Sequence, residues 1–154
     1  MTQTNGIKVV AVNRRARHDY FVLDKYEAGI ELTGTEIKSV RASKVDLRDG
    51  FARVDNGEAW LENVYIAPYD QGNRYNVEPR RRRRLLLHRA EIDRIMGRTL
   101  QRGLTMIPLR MYLKHRRAKV ELASVKGKRQ YDKRVAIAER EAKRSMEREL
   151  GRRR

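Results

Sequence analysis

The chain reads as a mainly β protein: a closed or nearly closed antiparallel barrel with short helices, followed by a basic C-terminal tail. Three observations predict this. Short β-branched and aromatic segments recur at close spacing through residue 125. Turn-forming residues separate them. Beyond residue 125 the apolar period changes to that of a helix. A length of 154 residues allows one modest core, so the barrel is placed at 1–125 and the tail at 126–154.

Taken in order, Ile7 to Val12 is apolar and β-branched, Tyr20 to Leu23 is a second strand, and Ala28 to Leu32 a third. Between the first two lies a basic loop, Asn13 to Tyr20. Thr35 to Val40 places Ile37 and Val40 at helical spacing. Phe51 to Val54 and Ala59 to Ile66 flank Asp55-Asn56-Gly57-Glu58, and Asn-Gly supplies the two positive-φ positions of a type I′ hairpin turn. Leu85 to Leu87 is a short strand. His88 to Met96 is a helix with Gly97 expected just past its end. Leu104 to Leu113 and Ala118 to Val125 form a second hairpin with a basic tip. In the latter strand Ala118, Val120 and Leu122 alternate with Lys119 and Glu121, giving one core face and one solvent face. Small helices among such strands fit a barrel of OB type.

Charge is distributed unevenly. Residues 1–77 hold 11 Lys+Arg and 11 Asp+Glu, whereas residues 78–154 carry the whole net charge of +17. Concentrated like charge repels itself and calls for a polyanionic partner. A membrane-surface helix needs large apolar residues opposite its cations. The most basic helical stretch offers mainly Val, Ile, Ala and Met, so nucleic acid is the expected partner. With no cysteine there is no disulfide or thiolate metal site, and with no long apolar segment the expectation is a cytoplasmic protein without a membrane partner.

No catalytic constellation is legible. His18, His88 and His115 lack metal-ligand spacing, and His18 and Asp19 would face opposite ways on a strand. Gly127-Lys128 lacks the upstream glycine of a phosphate loop, and Glu27 and Glu31 read as structural acids. No enzyme activity, metal or cofactor is expected. The five arginines Arg80 to Arg84 fit either a solvated loop or a phosphate-tracking surface. Tyr20 fits a base-stacking position or a core position equally. In the tail, Val135, Ala138, Ala142, Met146 and Leu150 make a helical stripe too thin to hold a helix by burial, so the tail is expected to order only on a partner.

Several of these segments carry a resemblance. In order they are Asn13 to Tyr20, Tyr26 to Ile30, Leu32 to Ser39, Pro79-Arg80, Arg83 to His88 and Gly127 to Arg134. Together they resemble the small protein B family, the SsrA-binding proteins that partner transfer-messenger RNA in bacterial trans-translation. The resemblance implies an OB-like barrel that grips the tRNA-like domain of that RNA. It also implies a tail that reaches the decoding centre of the small ribosomal subunit and lies as a helix in the empty mRNA channel. Elongation factor Tu would deliver the complex, and the chain itself would not be catalytic.

Carried over by position, Asn13, Tyr20, Glu27, Leu86, His88 and Lys119 would engage the RNA, with Arg14, Arg15, Arg17, His18, Arg83 and Arg84 beside them. Gly127, Lys128, Arg129, Tyr131, Asp132, Lys133 and Arg134 would serve the tail at the decoding centre. His88 falls where some relatives carry Asn. A ribosomal or ribosome-assembly protein that threads a basic tail through ribosomal RNA has the same composition and is the rival reading.

Overall fold

A computed structural model of the chain describes residues 3–4, 6–71, 75–100, 103–128, 140–148 and 150–151. The strands are β1 (Gln3–Thr4), β2 (Ile7–Val12), β3 (Tyr20–Ile30), β4 (Val45–Asp46), β5 (Phe51–Asp55), β6 (Glu58–Glu62), β7 (Tyr65–Ile66), β8 (Arg83–Leu86), β9 (Leu104–Lys114) and β10 (Arg117–Gly127). Three helices interrupt them, α1 (Arg14–Asp19), α2 (Gly34–Arg41) and α3 (Arg89–Leu100).

Eight strands form one sheet in the order β1-β2-β9-β10-β3-β8-β6-β5, and β5 also pairs with β9 through Ala52 and Met106. That last pairing closes a six-stranded antiparallel barrel. It is possible because β9 is long enough to serve two neighbours on one edge. Its first half meets β5, and its second half, Arg110 to Lys114, meets β2. The small β4–β7 sheet stands apart. Inside the barrel Ala28, Leu61, Leu85, Met106, Met111, Val120 and Leu122 are buried, with Ile92 and Ile95 of α3 packed against them. Ala118, Val120 and Leu122 face inward while Lys119 and Glu121 do not, as the alternation of β10 predicts.

The Asn56-Gly57 turn has both residues at positive φ, 51° and 76°. The β9–β10 hairpin also turns on two residues, His115 (φ 51°) and Arg116 (φ 67°), between the paired Lys114 and Arg117. Neither is glycine, so this turn carries local strain.

Four expectations change. The two strands expected at Tyr20 to Leu23 and Ala28 to Leu32 are one continuous β3, held by pairing with β10 from Tyr20 to Gly29. The strand expected over Ala59 to Ile66 breaks at Asn63, whose φ of 59° sends the chain into β7. Helix α3 runs through Gly97, where a Cβ would meet nothing within 4 Å, to Leu100. Finally, the basic loop at Asn13 to Tyr20 is largely the helix α1.

Helix α1 exists for a packing reason. Ala16 is buried with Ile107, Leu109, Ala123 and Val125 in a second, smaller cluster against the strands β9 and β10. At its start, Asn13 is spent on β9. Pairing between β9 and β10 slips near Leu109, leaving extra backbone in β9. The Asn13 backbone N–H donates to the Leu109 carbonyl at 2.7 Å, and its Nδ2 donates to the Pro108 carbonyl at 3.0 Å.

Residues 140–148 are helical, matching the stripe expected for the tail, and all are exposed. Val135 and Ala138 of the stripe lie outside the described residues.

Candidate nucleic-acid interface

Helix α2 sets up the electrostatics of the surface. Thr33 and Glu36 form a capping box: the Thr33 side chain accepts from the Glu36 N–H, and the Thr33 N–H donates to Glu36 Oε1. The box leaves the Glu36 carboxylate buried, where it meets Arg81 and, at 2.5 Å through Oε2, the Nε of Arg83. Burial pushes the Glu36 carboxyl up, but Arg81, the Thr33 N–H and Arg83 together hold it below the ordinary carboxylate range. The Arg83 side chain is 0% exposed and also donates to the Val64 and Pro79 carbonyls at 2.7 and 2.9 Å. Arg83 therefore cannot touch RNA phosphate from this position; it is a buried tie between β8 and α2.

The rest of the arginine run is engaged too. The Arg82 guanidinium lies 3.9 Å over the Trp60 ring and 3.1 Å from Asp55. Arg84 meets Glu58 at 2.9 Å and Glu31 at 3.6 Å, and Arg80 sits 5.5 Å over Tyr65. All these acids come from the first 77 residues. Counter-charge that is remote in sequence thus meets Arg81, Arg82, Arg83 and Arg84, so a phosphate-tracking surface is not formed by all five.

Arginines without an acid partner lie elsewhere. Arg14, Arg15 and Arg17 are exposed along α1, as is His18, and no ion pair among the described residues engages the three arginines. His18 and Asp19, expected to diverge, hydrogen-bond at 2.8 Å because they sit at a helix end, not on a strand. Arg14 and Arg17 line a hollow with Asn13, Lys25, Arg110 and Glu121. Asn13 itself is buried, with its Oδ1 unpartnered, so it acts by placing α1. Tyr20 is half-buried against the Ala16 cluster and lines a second hollow with Arg15 and His18.

A separate groove of about 570 Å³ brings together Glu27, Arg84, Leu86, His88 and Lys119. Its floor is a row across the sheet: Leu86 of β8 pairs with Gly29 of β3, Gly29 with Lys119 of β10, and Lys119 with Tyr112 of β9. Gly29 lets β3 and the Leu86 side chain approach closely there. A Cβ on it would lie 3.2 Å from the Leu86 Cβ. Leu86 is 48% exposed, an apolar platform beside cations. His88 precedes α3, its backbone N–H donating to Glu91, and it is exposed where it lines the groove.

Glu27, unlike Glu58, lines this groove without an arginine partner among the described residues. Tyr112 donates its hydroxyl to Glu27, and Lys114 Nζ lies 3.5 Å from the other carboxylate oxygen. The Tyr112 hydroxyl holds the Glu27 carboxyl below its usual range, with Lys114 and Lys119 assisting and slight burial opposing. Tyr112 escaped the sequence reading because nothing local marks it; only the pairing of β3, β10 and β9 brings it to Glu27.

At the root of the tail Gly127 ends β10, and the Lys128 amino group donates to the Arg17 carbonyl at 3.1 Å while lying 5.3 Å over the Phe21 ring. Arg129, Tyr131, Asp132, Lys133 and Arg134 lie outside the described residues. No helix of the described residues is long and apolar enough to cross a membrane.

Comparisons with known proteins place the chain among relatives along nearly its whole length. The family profile described as "SmpB protein" matches residues 10–152. The SsrA-binding protein of Desulforudis audaxviator is 59% identical over 141 residues, covering 92% of each chain. That of Carboxydothermus hydrogenoformans is 55% identical over 143 residues, 93% of this chain and 96% of the relative. A solved structure described as "tmRNA-SmpB: a journey to the center of the bacterial ribosome" is 55% identical with a TM-score of 0.67, covering 77% of this chain and 83% of that one.

Proposed function

Because the chain belongs to the SmpB family, we propose that it binds transfer-messenger RNA and carries it to stalled ribosomes for trans-translation. The observation that carries this reading is the groove. Glu27, Leu86, His88 and Lys119 were located by resemblance alone, 92 residues apart at the extremes, and they line one hollow. The free arginines of α1 supply a second, phosphate-binding patch on the same barrel. Structured RNA is recognised through shape, phosphates, ribose hydroxyls and splayed bases, and a cationic patch beside an apolar platform with one oriented acid suits a folded tRNA-like domain.

In this reading the barrel fills the place of a missing codon and anticodon stem. The tail, residues 126–154, works at the decoding centre, with its helix in the empty mRNA channel. Elongation factor Tu meets the complex only through the aminoacylated RNA, and the chain contributes binding, not catalysis. The descriptions of the relatives and of the ribosome-bound neighbour support the RNA and the ribosome as partners.

A competition between transfer-messenger RNA and bulk tRNA at near-physiological salt tests the reading, and no preference would refute it. Deleting residues 126–154 should leave RNA binding nearly intact and abolish tagging of nascent chains on stalled ribosomes. Tagging that survives the deletion would refute the tail's role.

A further inference from the structure

Tyr112 is 2% exposed yet spends its hydroxyl on a residue that is 44% exposed, Glu27. Its ring is fixed from the other side. The Arg110 guanidinium lies 4.8 Å over it, and Arg110 is in turn held by Glu121 at 3.3 Å. Glu121 pairs with Glu27 across β10 and β3, and with Arg110 across β10 and β9. The chain of contacts Glu121, Arg110, Tyr112, Glu27 therefore spans three strands. Arg110 and Glu121 line the hollow beside Arg14 and Arg17, whereas Glu27 lines the groove with Leu86, His88 and Lys119.

An acid on a cationic RNA face repels phosphate, so it weakens binding unless it accepts hydrogen bonds from the RNA. A carboxylate offers about four lone-pair positions and no donor. Tyr112 and Lys114 occupy two of these from within the protein, and the exposure of Glu27 leaves the others open to the groove. The groups on RNA that can fill them are the imino and amino N–H of a base edge, guanine presenting two side by side, and the ribose 2′-OH.

Resting on the function proposed above, we infer that Tyr112 is a positioning residue for RNA recognition. It holds Glu27 as an oriented acceptor for N–H or O–H donors of the bound RNA. The direction of the Glu27 shift agrees, since the Tyr112 hydroxyl is its largest cause and favours the ionised form. Tyr112→Phe removes that one hydroxyl while keeping the buried ring and its contact with Arg110.

The test measures affinity of the full chain for the tRNA-like domain of transfer-messenger RNA, and for bulk tRNA, in four proteins: unchanged, Tyr112→Phe, Glu27→Gln and the double variant. The expected result is about a tenfold loss for Tyr112→Phe, as for one hydrogen bond to a charged group, with no further loss in the Glu27→Gln background. A second readout is pH. Without the Tyr112 hydroxyl the Glu27 carboxyl rises toward its ordinary range, so the fall in affinity on acidification begins at higher pH in Tyr112→Phe, and Glu27→Gln lacks that limb.

Losses that simply add, an unmoved acid limb, or a lower melting temperature with unchanged affinity would overturn the inference alone. An unchanged chain that shows no preference for this RNA over bulk tRNA would remove the functional reading and this inference with it. Replacing guanosine by inosine, or by 2′-deoxyguanosine, separates the two donor sources. The substitution whose effect disappears in Glu27→Gln identifies the donor. If Glu27→Gln feels both substitutions as strongly as the unchanged chain does, the donor assignment is wrong.

Discussion

Three arginines of α1 and three of the Arg80 to Arg84 run have equal formal charge, yet the structure gives them different work. Arg14, Arg15 and Arg17 are exposed without an ion pair among the described residues, whereas Arg80 stacks on Tyr65, Arg82 meets Asp55 and Trp60, and Arg84 meets Glu58 and Glu31. Changing Arg14, Arg15 and Arg17 together to Gln should remove up to three phosphate contacts. Each contact contributes about 0.7–0.9 to the slope of log affinity against log salt, so the slope should fall by roughly 2–3. Near 0.15 M salt that corresponds to roughly a 10²-fold loss of affinity, about 2.5–3 kcal/mol. The matching triple change of Arg80, Arg82 and Arg84 removes the same net charge, but of the three only Arg84 lines the groove, so the slope should move by about one or less. Fluorescence-anisotropy titration against transfer-messenger RNA across a salt series measures both. Equal slope changes in the two variants would mean that net charge governs binding and that pairing is irrelevant, and the assignment of the interface to α1 would fall.

Four further outcomes follow from particular contacts. Glu36→Gln strands the buried Arg83 guanidinium and should cost about 3–5 kcal/mol in urea denaturation, with Glu36→Met/Arg83→Met recovering much of that loss. The Glu36 carboxyl is depressed in the folded chain, so its contribution is present above its unfolded value near pH 4.3 and is lost as pH falls through the lower folded one. The acid limb of stability should accordingly be shallower in Glu36→Gln. Gly29→Ala places a Cβ 3.2 Å from the Leu86 Cβ and should weaken RNA binding roughly three- to tenfold by shifting the platform, with stability changed by less than about 1 kcal/mol, as a thermal melt would read. Arg116→Gly relieves a positive-φ residue in the β9–β10 turn and should raise stability by about 1 kcal/mol, while RNA affinity changes little.

Much of the barrel was legible because its signals are local. The Asn56-Gly57 turn, the alternation of Ala118, Val120 and Leu122, and the helix around Ile92 and Ile95 each depend on a few neighbouring residues. The errors came where distant strands intervene. Nothing within Asn13 to Tyr20 says helix, because α1 is held by Ile107, Leu109, Ala123 and Val125 from the far end of the barrel. Likewise, β3 reads as two strands until the full length of β10 lies beside it.

The sequence by itself determined the class of partner, since a surplus of 17 positive charges does not depend on conformation. It also determined the core pattern, and through resemblance it named the positions proposed for the RNA site. Which cations are available was decided only by the tertiary structure. Ion pairing acts over a few ångströms, and folding brings Glu31, Glu36, Asp55 and Glu58 of the neutral half onto the arginines of the basic half. The densest charge in the sequence is thus largely spent within the fold, and the sparser arginines of α1 face outward.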